Sequence, residues 1–295
     1  MKVYYYPPEQ VGKPYPKGGA SLAGFERTTN PDEADCFLLV NSFDEFTNEE
    51  LLNLPYMKGN ERRHILFSLH ENPDRLIGIP AIIFRADNNK RLRDRGEVAF
   101  TQPWGSEDWY AKMGPATNFE YDVCFQGQDN SARIAKQCCD SVVAAGLKAH
   151  VKINDTFYGV YETNGDVETT KRLKESYLQT LHASKLSLCP YSLNNGIVRY
   201  RLYETMAMAR IPVLVGNDCI LPLEDRIQWN KCIIRIDEKD VPRTGEILRE
   251  FLKSHTDKDI RGMGQLAHWY WSEFLDDDIW EVTWAMLVTE RLAQL

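Results

Sequence analysis

Short apolar runs rich in β-forming residues recur along the chain, at Val3–Tyr6, Cys36–Val40, Ile65–Leu69, Ala81–Phe84, Tyr121–Phe125, Leu186–Cys189, Pro212–Val215 and Cys232–Ile236. Several are near-continuous rather than alternating, the pattern of parallel strands covered on both faces. Between many of them lie segments with apolar positions three or four apart, clearest over Ser131–Ala145, Thr170–His182, Val198–Ala209, Thr244–Lys253 and Asp277–Leu295. Alternating strands and helices predict an α/β fold. The stretch from Glu97 to Glu120 breaks the rhythm with Pro103, Gly105, Gly114 and Pro115, and the connection between two lobes is expected there. The first lobe then covers 1–115 and the second 116–275. A last helix in 276–295, carrying Trp280, Trp284 and Val288, is expected to pack back toward the first lobe. No internal repeat of fixed period is present.

Composition adds limits. With 295 residues, of which 43% are hydrophobic, the chain can fill two cores. The net charge of −8 is spread along the sequence, and its densest basic run, Lys90 to Arg95, is interrupted by neutral and acidic residues. Nucleic acid is not expected as a partner, because phosphate neutralisation needs a concentrated basic face. Seven cysteines without CxxC spacing, several beside apolar runs, read as buried thiols. The expected setting is the cytoplasm or another reducing compartment. No apolar run reaches the roughly 20 residues needed to span a bilayer, so a soluble chain with no membrane segment is expected.

The most informative stretch runs from Leu186 to Arg235. A strand ends at Cys189-Pro190, a polar loop holds Tyr191, Asn195 and Gly196, and a helix begins near Val198. A loop leaving the carboxyl end of a parallel strand and entering a helix is where α/β proteins bind phosphates. Arg201 and Glu204 lie three residues apart on that helix and so share a face. An arginine can neutralise a diphosphate, and a carboxylate can accept hydrogen bonds from vicinal ribose hydroxyls. The same spacing also suits a plain surface ion pair.

Arg201-Leu-Tyr-Glu204, followed by Arg210-Ile-Pro-Val-Leu-Val215, Leu221-Pro-Leu-Glu-Asp225 and Trp229, resembles the donor-lobe signature of exostosin-like glycosyltransferases. Weaker similarities run collinearly through Lys2–Pro7, Pro31–Val40, His64–Glu71 and Phe125-Gln-Gly127 to Arg133. The resemblance implies a GT-B fold, two Rossmann-like lobes with parallel sheets facing across a cleft. It also implies an inverting glycosyltransferase that takes a nucleotide-sugar, usually a UDP-sugar, as donor and a glycan hydroxyl as acceptor. Glu204 would hold the ribose and Arg201 the diphosphate, with Arg133 as a second phosphate contact; for Arg133 an ordinary helix-surface position is the alternative. Gln126, Gln128 and Tyr191 stand where the family often has arginines, and Arg199, where a serine is common, could return some of that charge. The lack of an anchor and the compact length suit a microbial or viral member, and xylose is the favoured sugar.

Inversion is a direct displacement, so the acceptor hydroxyl needs one positioned base. His70, Glu71 and Asp74 follow the apolar strand Ile65–Leu69. Glu71 matches the acidic position of the family motif and is assigned as base, with His70 orienting it and Asp74 and Trp104 contacting the acceptor. The segment also reads as a plain turn with Asp74 as a helix cap. No cofactor is required in this reading. The one dense acidic cluster, Asp276 to Asp278, opens the last helix and is expected to cap it. Departure of the nucleotide is expected to need no metal, with Arg201, Arg133 and the helix end near Gly196 taking the charge. Two other classes fit the pattern: a non-catalytic glycan- or nucleotide-binding module of the same fold, and a nucleotide-sugar epimerase.

Overall fold

The computed structural model describes residues 1–15, 22–68, 75–86, 89–100, 107–116, 118–129, 133–154, 166–190, 198, 200–276 and 279–295. Its first lobe comprises β1 (Lys2–Tyr5), α1 (Pro8–Val11), β2 (Glu26–Thr28), β3 (Cys36–Ser42), α2 (Asn48–Leu52), β4 (His64–Ser68), β5 (Ile82–Arg85), α3 (Lys90–Arg93) and β6 (Val98–Ala99). The second comprises α4 (Trp109–Met113), β7 (Tyr121–Gln128), α5 (Ile134–Ala144), β8 (Ala149–Asn154), α6 (Val167–His182), β9 (Ser184–Pro190), α7 (Tyr200–Ala207), β10 (Ile211–Val215), β11 (Ile234–Ile236), α8 (Thr244–Ser254) and α9 (Asp257–Phe274). A final helix, α10, spans Trp280–Leu292.

The two sheets run β2-β1-β3-β4-β5-β6 and β11-β10-β9-β7-β8, and all their strand pairs are parallel. This is the α/β architecture of two Rossmann-like lobes expected of the GT-B type. In each sheet the second strand lies outside the first and the third lies on its other side, so the winding reverses between β1 and β3 and again between β7 and β9. Crevices for ligands open beyond the strand ends at such reversals.

Burial explains the continuous apolar strands. All seven residues of β3 and all five of β10 are buried, because each sheet has an apolar cluster on either side. Helices close with local chemistry. Thr47 and Glu50 form a capping box on α2, and Thr256 and Asp259 form another on α9. After α7 the backbone turns left-handed at Ala209 (φ 54°), and the buried Arg210 guanidinium donates to the carbonyls of His182, Met208 and Ala209. Those bonds satisfy carbonyls that a helix end leaves without partners.

Local packing and hydrogen bonds describe the join between the lobes and the start of α10. Trp109 lies in the apolar cluster of the second lobe, Gly114 O faces His182 Nε2 at 3.0 Å, and Ala116 O accepts from Arg261. Residues 107–116 therefore pack on the second lobe, while Phe100 still belongs to the first. The amino end of α10 has Ile279 at its cap position with no side-chain cap bond, and the Asp276 carbonyl accepts from the amides of Ile279 and Trp280. Asp277 and Asp278 lie outside the described residues. Trp280, Trp284 and Val288 of α10 pack on Phe67, Phe84 and Phe100 of the first sheet, and Arg226 of the second lobe pairs with Glu290.

All seven cysteines are buried free thiols. No helix among the described residues is long and apolar enough to cross a membrane.

One buried base gives a pH-dependent prediction. His64, fully buried at the start of β4, has Nδ1 at 2.8 Å from Asn60 O, so that nitrogen carries the proton. Nε2 stands 2.7 Å from the oxygen of the Tyr6 hydroxyl, which donates to Pro55 O. Burial lowers its pKa from 6.5 to about 4. Between those values the unfolded chain takes up a proton that the folded chain refuses, so this group costs stability as pH falls from 6.5 toward 4 and costs nothing above 6.5. The full cost is about 3 kcal/mol. Urea titrations at pH 7, 5.5 and 4.5 should show His64→Gln losing less stability on acidification than the wild type; parallel losses would contradict the assignment.

Candidate active site

The reversal between β7 and β9 in the second lobe is where the side chains of interest meet. Helix α7 is the next helix after β9 among the described residues and buries Leu202, Tyr203 and Met206 against the sheet. Its exposed side is narrow, and Arg201 and Glu204, both half-buried, occupy it. Arg201 reaches back over the carboxyl end of β7. Its Nη2 donates to Gln126 O at 2.7 Å, and its guanidinium carbon lies 4.4 Å from the centre of the Phe125 ring and 5.8 Å from that of Tyr177. Its own carbonyl accepts from Thr205 Oγ1 at 2.5 Å. Glu204 accepts from the hydroxyl of Tyr177, a buried residue of α6, at 2.8 Å (Oε2). The arginine and carboxylate predicted to share a face thus both lie against the same tyrosine.

Arg133 precedes α5 at its cap position, with an exposed side chain and a left-handed backbone (φ 55°). An arginine held there costs roughly 1–2 kcal/mol. Nearby, Asp129 Oδ1 accepts from the Lys136 amide at 3.2 Å, so a carboxylate already serves the first turn of α5. Tyr191, Asn195, Gly196 and Arg199 lie outside the described residues. Cys124 and Cys189 lie near Arg201, and burial keeps both thiols protonated, that of Cys189 pushed up to about 12; neither serves as a nucleophile at neutral pH.

In the first lobe, β4 ends at Ser68, and Leu69 to Asp74, including His70, Glu71 and Asp74, lie outside the described residues, as does Trp104. The residues on either side of that segment are joined by Asp44. Its Oδ2 accepts from Ser68 Oγ at 2.6 Å and from Ser42 Oγ at 2.9 Å, and its Oδ1 stands 3.7 Å from Arg75 Nη1. Arg75 and Arg85 both lie over the Phe43 ring, at 5.4 and 4.9 Å. Arg85, fully buried at the end of β5, pairs with the buried Glu97. The carboxyl ends of β3, β4 and β5 are therefore held by a buried polar network, whose net attraction depends on every charge being matched.

Sequence reasoning did not pick out Asp44, Arg75 and Tyr177, and treated Gly127 only as part of a motif. Asp44 had a readable signal, an acidic residue four positions beyond the apolar run Cys36–Val40. Tyr177 had none, because it occupies an ordinary apolar position of α6. Among the described residues no group of three His, Cys, Asp or Glu side chains converges as a metal site would require. His268, of the aromatic run 268–271, bonds through Nε2 to Asp108 Oδ1 at 2.9 Å, while Trp271 is wholly buried.

A family model of the exostosin GT47 domain matches residues 20–251. Exostosin-1c of Danio rerio is 26% identical over 283 residues, covering 83% of this chain and 38% of its own length. Exostosin-1 of Bos taurus is 22% identical over 311 residues, covering 93% and 40%. A protein of Oryza sativa subsp. japonica named as a probable glucuronosyltransferase is 36% identical over 73 residues, 25% of this chain and 16% of its own length. The chain thus spans about two-fifths or less of these relatives. Among solved structures, Anabaena HepE in complex with UDP-glucose aligns over 88% of this chain and 72% of its own, with 12% identity and a TM-score of 0.45. TarM aligns over 79% and 57%, with 10% identity and a TM-score of 0.44. The model match covers well over half of the sequence, with Arg201 and Glu204 inside it, and the chain belongs to the exostosin GT47 family of glycosyltransferases.

Proposed function

We propose that this chain transfers a sugar, xylose being the favoured one, from a UDP-sugar to a hydroxyl of a glycan acceptor, inverting the anomeric carbon without a metal ion. The observation that carries the reading is the placement of Arg201 and Glu204 together at the sheet reversal of the second lobe. A guanidinium there stabilises a diphosphate, and a carboxylate one helical turn away accepts from ribose hydroxyls. The second lobe then serves the nucleotide-sugar, and the first, from the end of β4, serves the acceptor. Glu71 takes the acceptor proton with His70 orienting it, while Asp74 and Trp104 contact the sugar chain. As the bond to the nucleotide breaks, charge grows on the diphosphate, and Arg201, with Arg133, Arg199 and the loop amides near Gly196, receives it.

The test is a panel of UDP- and GDP-sugars, with and without glycan acceptors and with EDTA, read by nucleotide release. Acceptor-dependent release that survives EDTA is expected. Binding without release would favour a non-catalytic module, and release of an altered sugar nucleotide without acceptor would favour an epimerase. In the same assay Glu204→Ala should weaken UDP binding about tenfold or more, since hydrogen bonds to a charged group contribute about 1.5–3 kcal/mol. Unchanged affinity by calorimetry would remove Glu204 from the donor site.

A further inference from the structure

We propose that Gly127 and Tyr177 are positioning residues of the nucleotide site: Gly127 leaves the space in which the Arg201 guanidinium lies on the end of β7, and Tyr177 fixes the Glu204 carboxylate. The inference deepens the reading of Arg201 and Glu204 as diphosphate and ribose contacts and rests on it.

Gly127 is the next-to-last residue of β7, paired in register with Ile153 of β8. Its φ lies outside the left-handed region, so the backbone does not call for glycine, and glycine within a strand weakens it. The space around it does call for glycine. A Cβ at this position would stand 2.1 Å from Arg201 Nη2 and 3.1 Å from its Cζ. The atoms in the way are the far end of a flexible side chain, so alanine would move the guanidinium and leave the strand in place. With it would go the bond to Gln126 O and the seat on the Phe125 ring. A strand residue without a side chain therefore decides where the positive charge of the crevice stands.

Tyr177 acts on the second member of the pair. Its ring is buried among the residues that anchor α6 and α7 to the sheet, and its hydroxyl donates to Glu204 Oε2. A carboxylate on a half-buried helix position turns about its side-chain bonds unless a fixed donor holds it, and a phenol on a buried ring is such a donor. The same ring lies 5.8 Å from the Arg201 guanidinium, so one tyrosine borders both charges.

UDP and uridine separate the two roles, because only UDP carries the diphosphate. Calorimetry with Gly127→Ala should show UDP affinity reduced roughly ten- to a hundredfold and uridine affinity unchanged. On an Arg201→Ala background the same glycine substitution should add nothing, since the group it displaces has gone. Tyr177→Phe keeps the ring and should weaken UDP and uridine by the same factor, several-fold. Thermal melts alongside establish that each variant is folded. Wild-type UDP affinity in Gly127→Ala, equal losses for UDP and uridine, or a full further loss on the Arg201→Ala background would each overturn the role of Gly127. Unchanged uridine affinity in Tyr177→Phe would overturn that of Tyr177. A wild-type chain that does not bind UDP, or an Arg201→Ala chain that binds it normally, would instead remove the underlying donor-site reading.

Discussion

Glu71→Gln is expected to bind the nucleotide-sugar as the wild type does and to transfer its sugar roughly 10²- to 10⁴-fold more slowly, the usual contribution of a positioned general base. The substitution keeps the size of the side chain and removes only its ability to accept a proton, so donor affinity, which the proposal assigns to the other lobe, has no reason to change. The described residues on either side of Glu71 share one partner. Ser68 before it and Arg75 after it both face Asp44, a side chain only 7% exposed. Single-turnover transfer at saturating donor, with donor affinity measured separately, checks the prediction. A near-normal rate moves the base to another residue, and a matching loss of donor affinity makes Glu71 a structural group.

The largest expected loss of stability comes from the buried ion pair of Arg85 and Glu97. In Glu97→Leu the Arg85 guanidinium, fully buried, loses its carboxylate and has no route to water, a situation that costs about 3–5 kcal/mol. Arg95 also approaches Glu97 at 3.5 Å but is 41% exposed, so water can take over its charge. Replacing both members, as Arg85→Met with Glu97→Leu, should restore much of the loss, because the pair's attraction does little more than offset its own desolvation. Urea unfolding of the two variants measures this directly. Equal destabilisation by the single and double substitutions would mean that packing, rather than the unmatched charge, sets the cost.

The legible parts of the fold were those where one physical effect dominated. Eight strands were readable as short apolar runs, near-continuous where burial on both faces is complete, as in β3 and β10, and only their ends shifted by a residue or a few. Three strands escaped. β2 and β6 are only three and two residues long, and β8, His-Val-Lys-Ile between Ala149 and Asn154, is an edge strand with polar residues. The longest helix, α9, escaped for a different reason. Gly262 and Gly264 each cost a helix about 1 kcal/mol in propensity, yet a Cβ at Gly264 would stand 2.2 Å from Ala209 O. The glycine that weakens the local signal is what lets α9 lie against the end of α7, and no window of sequence contains both partners. The site divides in the same way. Arg201 and Glu204 were found through their spacing on one helix, whereas Asp44 with Arg75 and Tyr177 with Glu204 join residues 27 or more positions apart, which periodicity cannot reveal.

The docking of α10 on the first sheet sets an order of assembly. Phe67, Phe84 and Phe100 are synthesised early, but the tryptophans that cover them come only after residue 279. During synthesis the amino-terminal lobe therefore stands with an oily face open to water while the whole carboxyl-terminal lobe is being made, and it closes last although it is made first. A nascent chain stalled before residue 280 presents that face to chaperones or to other nascent chains.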